Sequence, residues 1–296
     1  MSILDPILDI TPIAQDQTVL TGPATQTDIL APEGGKLRRR GKVLFSDTFS
    51  GVEGDFHHWR DHQGARAPKV PVGLSTYPPG LILSTAAVPY ETGRADSDTS
   101  TYKNLSRFRD TGVVSFSGLF AHAGSAGASA GSREVAFSSW QLGIDTQTWS
   151  TQDGTGATRG FYKLIYSDSS TSNDPAWYIS NDAGDTVIIP GSRGITAGEN
   201  EGKWNFNYIR LTIDLSANGG LGGYLEAQIN HKVFDLTVLG AGRGMQNPQT
   251  GSAMASYSGG LNFGVSLVRS TRYPNAIQNK LIANLLTATI GDVKAA

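Results

Sequence analysis

Short segments in which apolar and polar residues alternate recur from Val43 to the end of the chain. In one of them, Val114 and Phe116 alternate with Ser115 and Ser117. A period of two is typical of a β-strand that turns one face toward a core. Clusters of Gly, Pro, Asn, Asp and Ser bound these segments and indicate turns. Eleven segments fit this pattern: 42–49, 79–87, 112–123, 133–145, 160–168, 176–182, 185–191, 204–215, 223–240, 260–270 and 284–293.

Helical patterns are scarce in the same part of the chain. A single helical turn is predicted between Asn275 and Ala283, and no other segment is expected to form more than two turns. About eleven strands joined by long loops favour an antiparallel sandwich. We therefore predict an all-β domain that spans residues 43–296.

Residues 1–42 have a different texture and are predicted to be an extended N-terminal arm. Apolar pairs such as Ile3-Leu4 and Ile7-Leu8 are separated by Pro, Thr, Asp and Gly, with no sustained period of 3.6 or 2. Such a segment cannot build its own core, yet it is more apolar than a typical disordered tail. We expect the arm to lie on another surface, either that of its own domain or that of a neighbouring subunit.

Composition narrows the classes of function. The chain has 24 Lys and Arg against 26 Asp and Glu, a net charge of −2, and no cysteine. Nucleic-acid binding needs a clustered surplus of basic residues, so we expect no nucleic-acid partner. No apolar run reaches the ~18 residues of a membrane span, and membrane insertion is not expected. The first fifteen residues lack the basic region of a secretory signal, which predicts either a protein made in a cytoplasm or a mature form.

One hairpin carries a resemblance to a known family. The stretch 203–214 reads KWNFNYIRLTID, and 224–230 after a Gly-rich turn reads YLEAQIN. This pattern resembles the concanavalin A-like lectin/glucanase superfamily, which includes laminin-G-like domains. Residues 45–49 are similar to the first strand of those domains, and 285–292 to the last. The resemblance covers roughly residues 43–293, and it implies a jelly-roll sandwich of two antiparallel sheets with a concave face that binds sugars in relatives.

Glycosidases of that superfamily carry a Glu-x-Asp-x-x-Glu strand, and one strand of this chain is similar to it. If Asp145 takes the place of the central Asp, Gly143 and Thr148 take the places of the two Glu residues. Neither can act as nucleophile or acid, and the retaining mechanism requires two carboxylates about 5–5.5 Å apart. We therefore predict no enzyme activity at this strand. The alternative is a polysaccharide-active hydrolase or lyase with an unrecognised site.

Other carboxylates are interpreted as surface or turn residues; they are Asp47, Asp61, Glu134, Asp214 and Glu226. The metal-like cluster of His57, His58 and His62 with Asp55 and Asp61 is interpreted as polar loop residues because a strand would separate the ligands. Asp-rich turns at 96–98, 168–170 and 182–185 fit Asx and Ser turns, although calcium remains an alternative. No cofactor is expected.

The aromatic residues supply the ligand-binding candidates. Exposed rings stack on sugar faces, although most large rings of a sandwich belong to its core. Trp140 and Trp149 are nine residues apart, so strict alternation directs them to opposite faces of the sheet. The candidate ligand-binding residues are Trp140, Asp145, Trp149, Tyr162 and Tyr166. On the resemblance, the concave sheet includes strands at 135–145 and 161–166, with the loops 123–132 and 240–260 at its rim.

Together these features favour a non-enzymatic structural or adhesive module. A Gly/Ser/Thr/Ala-rich β domain with an extended arm and no cysteine is similar in composition to structural proteins of tailed bacteriophage particles. We expect a multi-copy virion protein, either a capsid decoration or a tail component, that is assembled in the host cytoplasm. Its expected partners are its own copies or other virion subunits, contacted through the arm, and a host surface glycan.

Overall fold

The computed structural model describes residues 42–49, 59–63, 73–76, 79–84, 99–105, 112–123, 137–147, 159–168, 175–181, 185–193, 206–217, 222–239, 245–246, 260–269 and 280–291. The strands in these residues are β1 (Lys42–Asp47), β2 (Arg60–Gln63), β3 (Gly73–Thr76), β4 (Pro79–Ser84), β5 (Thr99–Leu105), β6 (Val113–Ala123), β7 (Phe137–Gln147), β8 (Arg159–Asp168), β9 (Pro175–Ser180), β10 (Thr186–Ile188), β11 (Asn207–Asp214), β12 (Gly223–Ile229), β13 (Lys232–Asp235), β14 (Met245–Gln246), β15 (Gly260–Arg269) and β16 (Lys280–Ile290). One 3₁₀ turn, Thr237–Leu239, follows β13.

The strands form two antiparallel sheets that pack as a sandwich. The first sheet has the order β13-β12-β11-β6-β16-β4-β3, and β1 also pairs with β16. The second sheet has the order β10-β9-β8-β7-β15-β5-β2, and β14 also pairs with β8. Within the described residues, each sheet contains eight strands. The predicted fold class, an all-β antiparallel sandwich of two sheets, is confirmed; the arm at 1–42 lies outside the described residues except for Lys42, which begins β1.

The alternating residues fill the space between the sheets. On β11, Ile209, Leu211 and Ile213 belong to the core, while Arg210 and Thr212 point to the opposite face. On β6, Val114, Phe116 and Phe120 face the same core. A strand sends successive side chains to opposite faces, so the apolar half of each pattern meets the other sheet. The polar half is also buried: Arg210 and Thr212 are each only 3% exposed.

Three details of the sequence prediction differ from the structure. Residues 223–240 are not one strand but the hairpin β12–β13, because Asn230 adopts a left-handed φ of 53° and turns the chain. Asparagine tolerates this conformation better than most residues. Residues 280–283, predicted as part of a helical turn, begin β16. The strands β2, β3, β5 and β14 were not predicted, since they are short or rich in polar residues.

Candidate functional site

Three of the predicted ligand-binding rings lie in the core. Trp140 and Tyr162 have no exposed surface, and Tyr166 is 2% exposed. Trp140 and Tyr166 pack at 5.8 Å between ring centroids, and both contact Trp177. The prediction that these rings bind a ligand is therefore corrected. Their strand positions turn them toward the first sheet, where a sugar has no access while the sandwich is closed.

The fourth ring, Trp149, lies outside the described residues, and so does nearly all of the two predicted rim loops. Within 123–132 the structure describes only Ala123, and within 240–260 only Met245, Gln246 and Gly260. Asp145 is described and is half-buried. Its neighbours Ile144 and Thr146 are buried, so the alternation of β7 places Asp145 on the outer face of the sheet. Of the predicted site residues, the carboxylate therefore lies on the outer surface of the sheet, and three aromatic rings lie in the core.

Among the described residues, two glycines lie side by side at the centre of the outer face of the second sheet. Gly143 of β7 pairs with Gly264 of β15, and the two are flanked by Lys163 of β8 and Tyr102 of β5 in the same register row. An added Cβ at Gly143 would meet nothing closer than 3.7 Å, and one at Gly264 nothing closer than 3.4 Å. We call this pair the glycine floor. Three strand spacings separate Lys163 from Tyr102, roughly 14 Å, so a ligand can approach the backbone between them.

Polar side chains surround the glycine floor on all four sides. Along the strands, Gln141 and Ser266 lie opposite each other in the row on one side, and Asp145 and Asn262 in the row on the other. Lys163 and Tyr102 close the two remaining sides. These six residues form what we call the polar rim: Tyr102, Gln141, Asp145, Lys163, Asn262 and Ser266. Apart from Asn262, which is 8% exposed, each is half-buried, which leaves part of each side chain open to solvent.

Asn262 has an orientation that its neighbour determines. Its side-chain Nδ2 donates a hydrogen bond to Oδ2 of Asp145 at 3.1 Å. An ionised carboxylate only accepts hydrogen bonds, so the amide nitrogen must face Asp145 and Oδ1 must point away from it. In the described structure, this Oδ1 is buried and has no hydrogen-bond partner. A buried acceptor without a partner costs free energy, about 1–3 kcal/mol.

Aromatic side chains also reach this face, but they are not the ones predicted from the sequence. Phe161 pairs with Asp145 across β8 and β7, and Tyr178 pairs with Ile165 one strand farther out. Both rings are half-buried, as is Tyr102 of the rim. Each is next in sequence to a core residue, so the alternation of β8 and β9 would have located Phe161 and Tyr178 once the inward face was known.

Three other carboxylates have hydrogen-bond or ion-pair partners that show their surroundings. Asp214 accepts a hydrogen bond from the backbone N–H of Ser216 at 2.8 Å, which confirms a turn residue. Asp47 is not at the surface: it is 5% exposed and bonded to Lys103 and Trp59. Glu226 is also mostly buried, with Oε1 2.5 Å from Nη2 of Arg210.

Among the residues that the structure describes, no cluster of three or more His, Cys, Asp and Glu side chains could hold a metal ion. The histidines at 57 and 58 and most of the Asp-rich turns lie outside those residues. No described helix is long and apolar enough to span a bilayer.

Neither a protein-family model nor a curated protein matches this sequence. Solved structures resemble the chain only distantly. The Emp47p carbohydrate recognition domain is 14% identical and has a TM-score of 0.43; the match covers 84% of this chain and 97% of that one. An alginate lyase from Chlorella virus is 8% identical with a TM-score of 0.46, over 84% and 100% of the two chains. A prokaryotic lichenase derived from a mouse hindgut metagenome is 10% identical with a TM-score of 0.40, over 83% and 98%.

The likeness to these structures is distant. At TM-scores below 0.5 it carries no argument about what this chain binds or does.

Proposed function

We propose that this protein is a non-enzymatic module that binds a saccharide on the outer face of its second sheet. The observation that supports the proposal most directly is the glycine floor surrounded by the polar rim. A flat ring can lie against the backbone of Gly143 and Gly264, because neither residue has a side chain and a Cβ built on either one meets no described atom closer than 3.4 Å. Sugar hydroxyls both donate and accept hydrogen bonds, which suits a rim of mixed polarity.

The chemistry of the rim favours a hydroxyl-rich ligand over an apolar one. Asp145 offers acceptors and Lys163 offers donors on the half-buried polar rim. One cation and one carboxylate on the rim give no strong net charge. The half-buried rings of Tyr102 and Phe161 add apolar surface for the carbon face of a pyranose.

The absence of enzyme activity is part of the proposal. Asp145 is the one carboxylate among the described side chains on the strands of this face, and a retaining glycosidase requires two that lie close together. Gly143 occupies the position two residues before Asp145, where the similar glycosidase strand carries a Glu. A residue without a side chain cannot transfer a proton or attack an anomeric carbon.

The wider setting is also a proposal. A shallow face buries little ligand area, so the affinity of one site is expected to be weak. Many copies presented together raise the effective concentration and make attachment useful. We propose that the protein acts in many copies, as a structural component of a bacteriophage particle that contacts host glycans, with the arm at 1–42 as the assembly contact.

The test fills the glycine floor. Gly143→Leu places a side chain where a Cβ meets only ordinary contacts, so the fold should be retained, as a melting curve would verify. The matched control is Lys232→Leu, which adds the same side chain to an exposed position of β13 in the other sheet. Both proteins and the wild type are coupled to beads at high density and exposed to neutral, acidic and cell-wall polysaccharides.

The proposal predicts that the wild type and Lys232→Leu retain the same polysaccharides and that Gly143→Leu loses at least roughly tenfold in retention, about 1.4 kcal/mol. If the wild type retains no polysaccharide, or if the folded Gly143→Leu variant retains them as well as the control does, the proposed function is wrong.

A further inference from the structure

The phenol of Tyr224 crosses the sandwich and ends beside a residue of the polar rim. Tyr224 lies on β12 of the first sheet and is 3% exposed. Its hydroxyl accepts a hydrogen bond from the backbone N–H of Lys163, on β8 of the second sheet, at 2.8 Å. The same hydroxyl lies 3.3 Å from the backbone oxygen of Lys163, to which it donates. A third partner, Oγ of Ser180 on β9, is also 3.3 Å away.

The hydroxyl of Tyr224 bonds to the backbone of Lys163 where a neighbouring strand would otherwise do so. The pairing of β8 with β9 extends from Asp168↔Pro175 to Leu164↔Ile179 and ends there. Lys163 and Ser180 would be the next pair, and their backbones are separated enough for the phenol oxygen to bond to both residues. Without that oxygen, the N–H and C=O of Lys163 would lose their partner on the β9 side. An unsatisfied backbone group in a part-buried place is costly, so this contact helps to fix the backbone of β8 at Lys163, beside its pairing with Gly143 of β7.

The ring of Tyr224 is itself held in place. It packs edge to face on Tyr162, with centroids 5.2 Å apart and an interplanar angle of 77°. Burial raises the pKa of Tyr224 above the ordinary value of a tyrosine hydroxyl. A tyrosine hydroxyl keeps its proton at neutral pH even without this shift, so it can donate and accept at once. Tyr162 and Leu164 both face the core, so the side chain of Lys163 between them projects to the outer face, beside the glycine floor.

We infer that Tyr224 is a positioning residue for the saccharide site: it acts from the opposite sheet by fixing the backbone that carries the ammonium of Lys163. This inference rests on the proposed function for its effect on binding. The placement of Lys163 itself is independent of any ligand. The two parts can be measured separately.

Three variants separate the placement of Lys163 from its effect on saccharide binding. Tyr224→Phe removes the hydroxyl and keeps the ring. Tyr208→Phe is the matched control, because Tyr208 is also a buried tyrosine of the first sheet, and its hydroxyl has no hydrogen-bond partner in the described structure. Lys163→Met removes the rim ammonium and keeps most of the side-chain length. Hydrogen exchange at the amide of Lys163 reports the backbone contact, and bead retention on the polysaccharide panel reports binding.

We expect the Lys163 amide to be protected in the wild type and in Tyr208→Phe, and to exchange faster in Tyr224→Phe. In retention, we expect Tyr224→Phe to weaken binding roughly threefold to tenfold, the range of one lost hydrogen bond. In a Lys163→Met background, the same substitution should cause no further loss of binding, because the residue through which Tyr224 acts has already been replaced.

The outcomes that overturn the inference are specific. Fast exchange of the Lys163 amide in the wild type excludes the backbone contact and needs no variant to fold. Equal losses of binding from Tyr224→Phe with and without Lys163 would assign the tyrosine a general structural role. If exchange behaves as expected but the wild type binds no polysaccharide, the proposed function fails while the placement of Lys163 by Tyr224 stands.

Discussion

The ammonium nitrogen of Lys103 lies 2.6 Å from Oδ2 of Asp47, and the two residues belong to opposite sheets. Both are buried, and the indole N–H of Trp59 donates to the same carboxylate oxygen at 2.7 Å. The Lys103 nitrogen also lies 4.5 Å from the centre of the Phe45 ring. The charged pair therefore joins β1 to β5 inside a largely aromatic part of the core.

Breaking this pair from one side should destabilise the fold. Asp47→Asn leaves the Lys103 ammonium buried without its counter-charge, and removal of one partner of a buried ion pair typically costs about 3–5 kcal/mol. We expect a decrease of this size in the free energy of unfolding, measured by urea denaturation. Adding Lys103→Met should restore much of the loss, since two neutral residues leave no uncompensated charge. Single and double variants of equal stability would contradict the prediction.

The hydroxyl of Tyr224 should make stability depend on alkaline pH. An unfolded tyrosine loses its proton near pH 10, whereas burial raises the pKa of Tyr224 in the folded protein. Above about pH 10 the folded state therefore holds one proton more than the unfolded state, and the free energy of unfolding declines as the pH rises. The stabilisation is fully present below that pH.

The comparison of wild type with Tyr224→Phe isolates this residue from the other tyrosines. We expect the wild type to lose stability more steeply, with a difference that approaches about 1.4 kcal/mol per pH unit above pH 10. Urea denaturation between pH 8 and about 11 measures it. Parallel curves for the two proteins would show that Tyr224 titrates as an exposed tyrosine does.

Asp145 should not support turnover. Incubation of the wild type with β-glucans, galactans and cell-wall glycans is expected to release no reducing ends, because one carboxylate beside a glycine cannot perform double displacement. Asp145→Asn should behave identically in this assay. Sustained hydrolysis that Asp145→Asn abolishes would instead establish a polysaccharide-active enzyme.

Removal of residues 1–40, which leaves β1 complete, tests the predicted arm. The assembly hypothesis predicts that the full-length chain self-associates or binds a partner subunit, and that the truncated chain stays folded and monomeric. Size-exclusion chromatography with light scattering measures both states, and circular dichroism verifies the fold. Identical monomers before and after truncation would show that the arm makes no intersubunit contact.

The alternation of apolar and polar residues was enough to predict an all-β sandwich. It also predicted which residues of β6 and β11 face the core, because a strand has a period of two whatever surrounds it. Where the period was weak or the chain turned within a segment, the prediction was wrong. Residues 223–240 contain a hairpin because Asn230 takes a left-handed φ, a local choice that hydrophobicity does not reveal.

The candidate site was predicted only in part. Asp145 and the strands around it were identified, since a single strand carries that information. The interior placement of Trp140, Tyr162 and Tyr166 depends on which face of β7 and β8 meets the first sheet, and a large aromatic residue suits either face. The rim partners of Asp145 come from strands far away in sequence: Asn262 is 117 residues distant.

The sequence by itself therefore determined the class of fold and the two faces of its stronger strands, because these follow from the local geometry of the backbone. Only the tertiary structure decided that Gly143 and Gly264 lie side by side, that Lys103 and Asp47 meet between the sheets, and that Tyr224 reaches Lys163. Each of these relationships depends on strand order and register, which are settled by the packing of the whole sandwich rather than by any one segment.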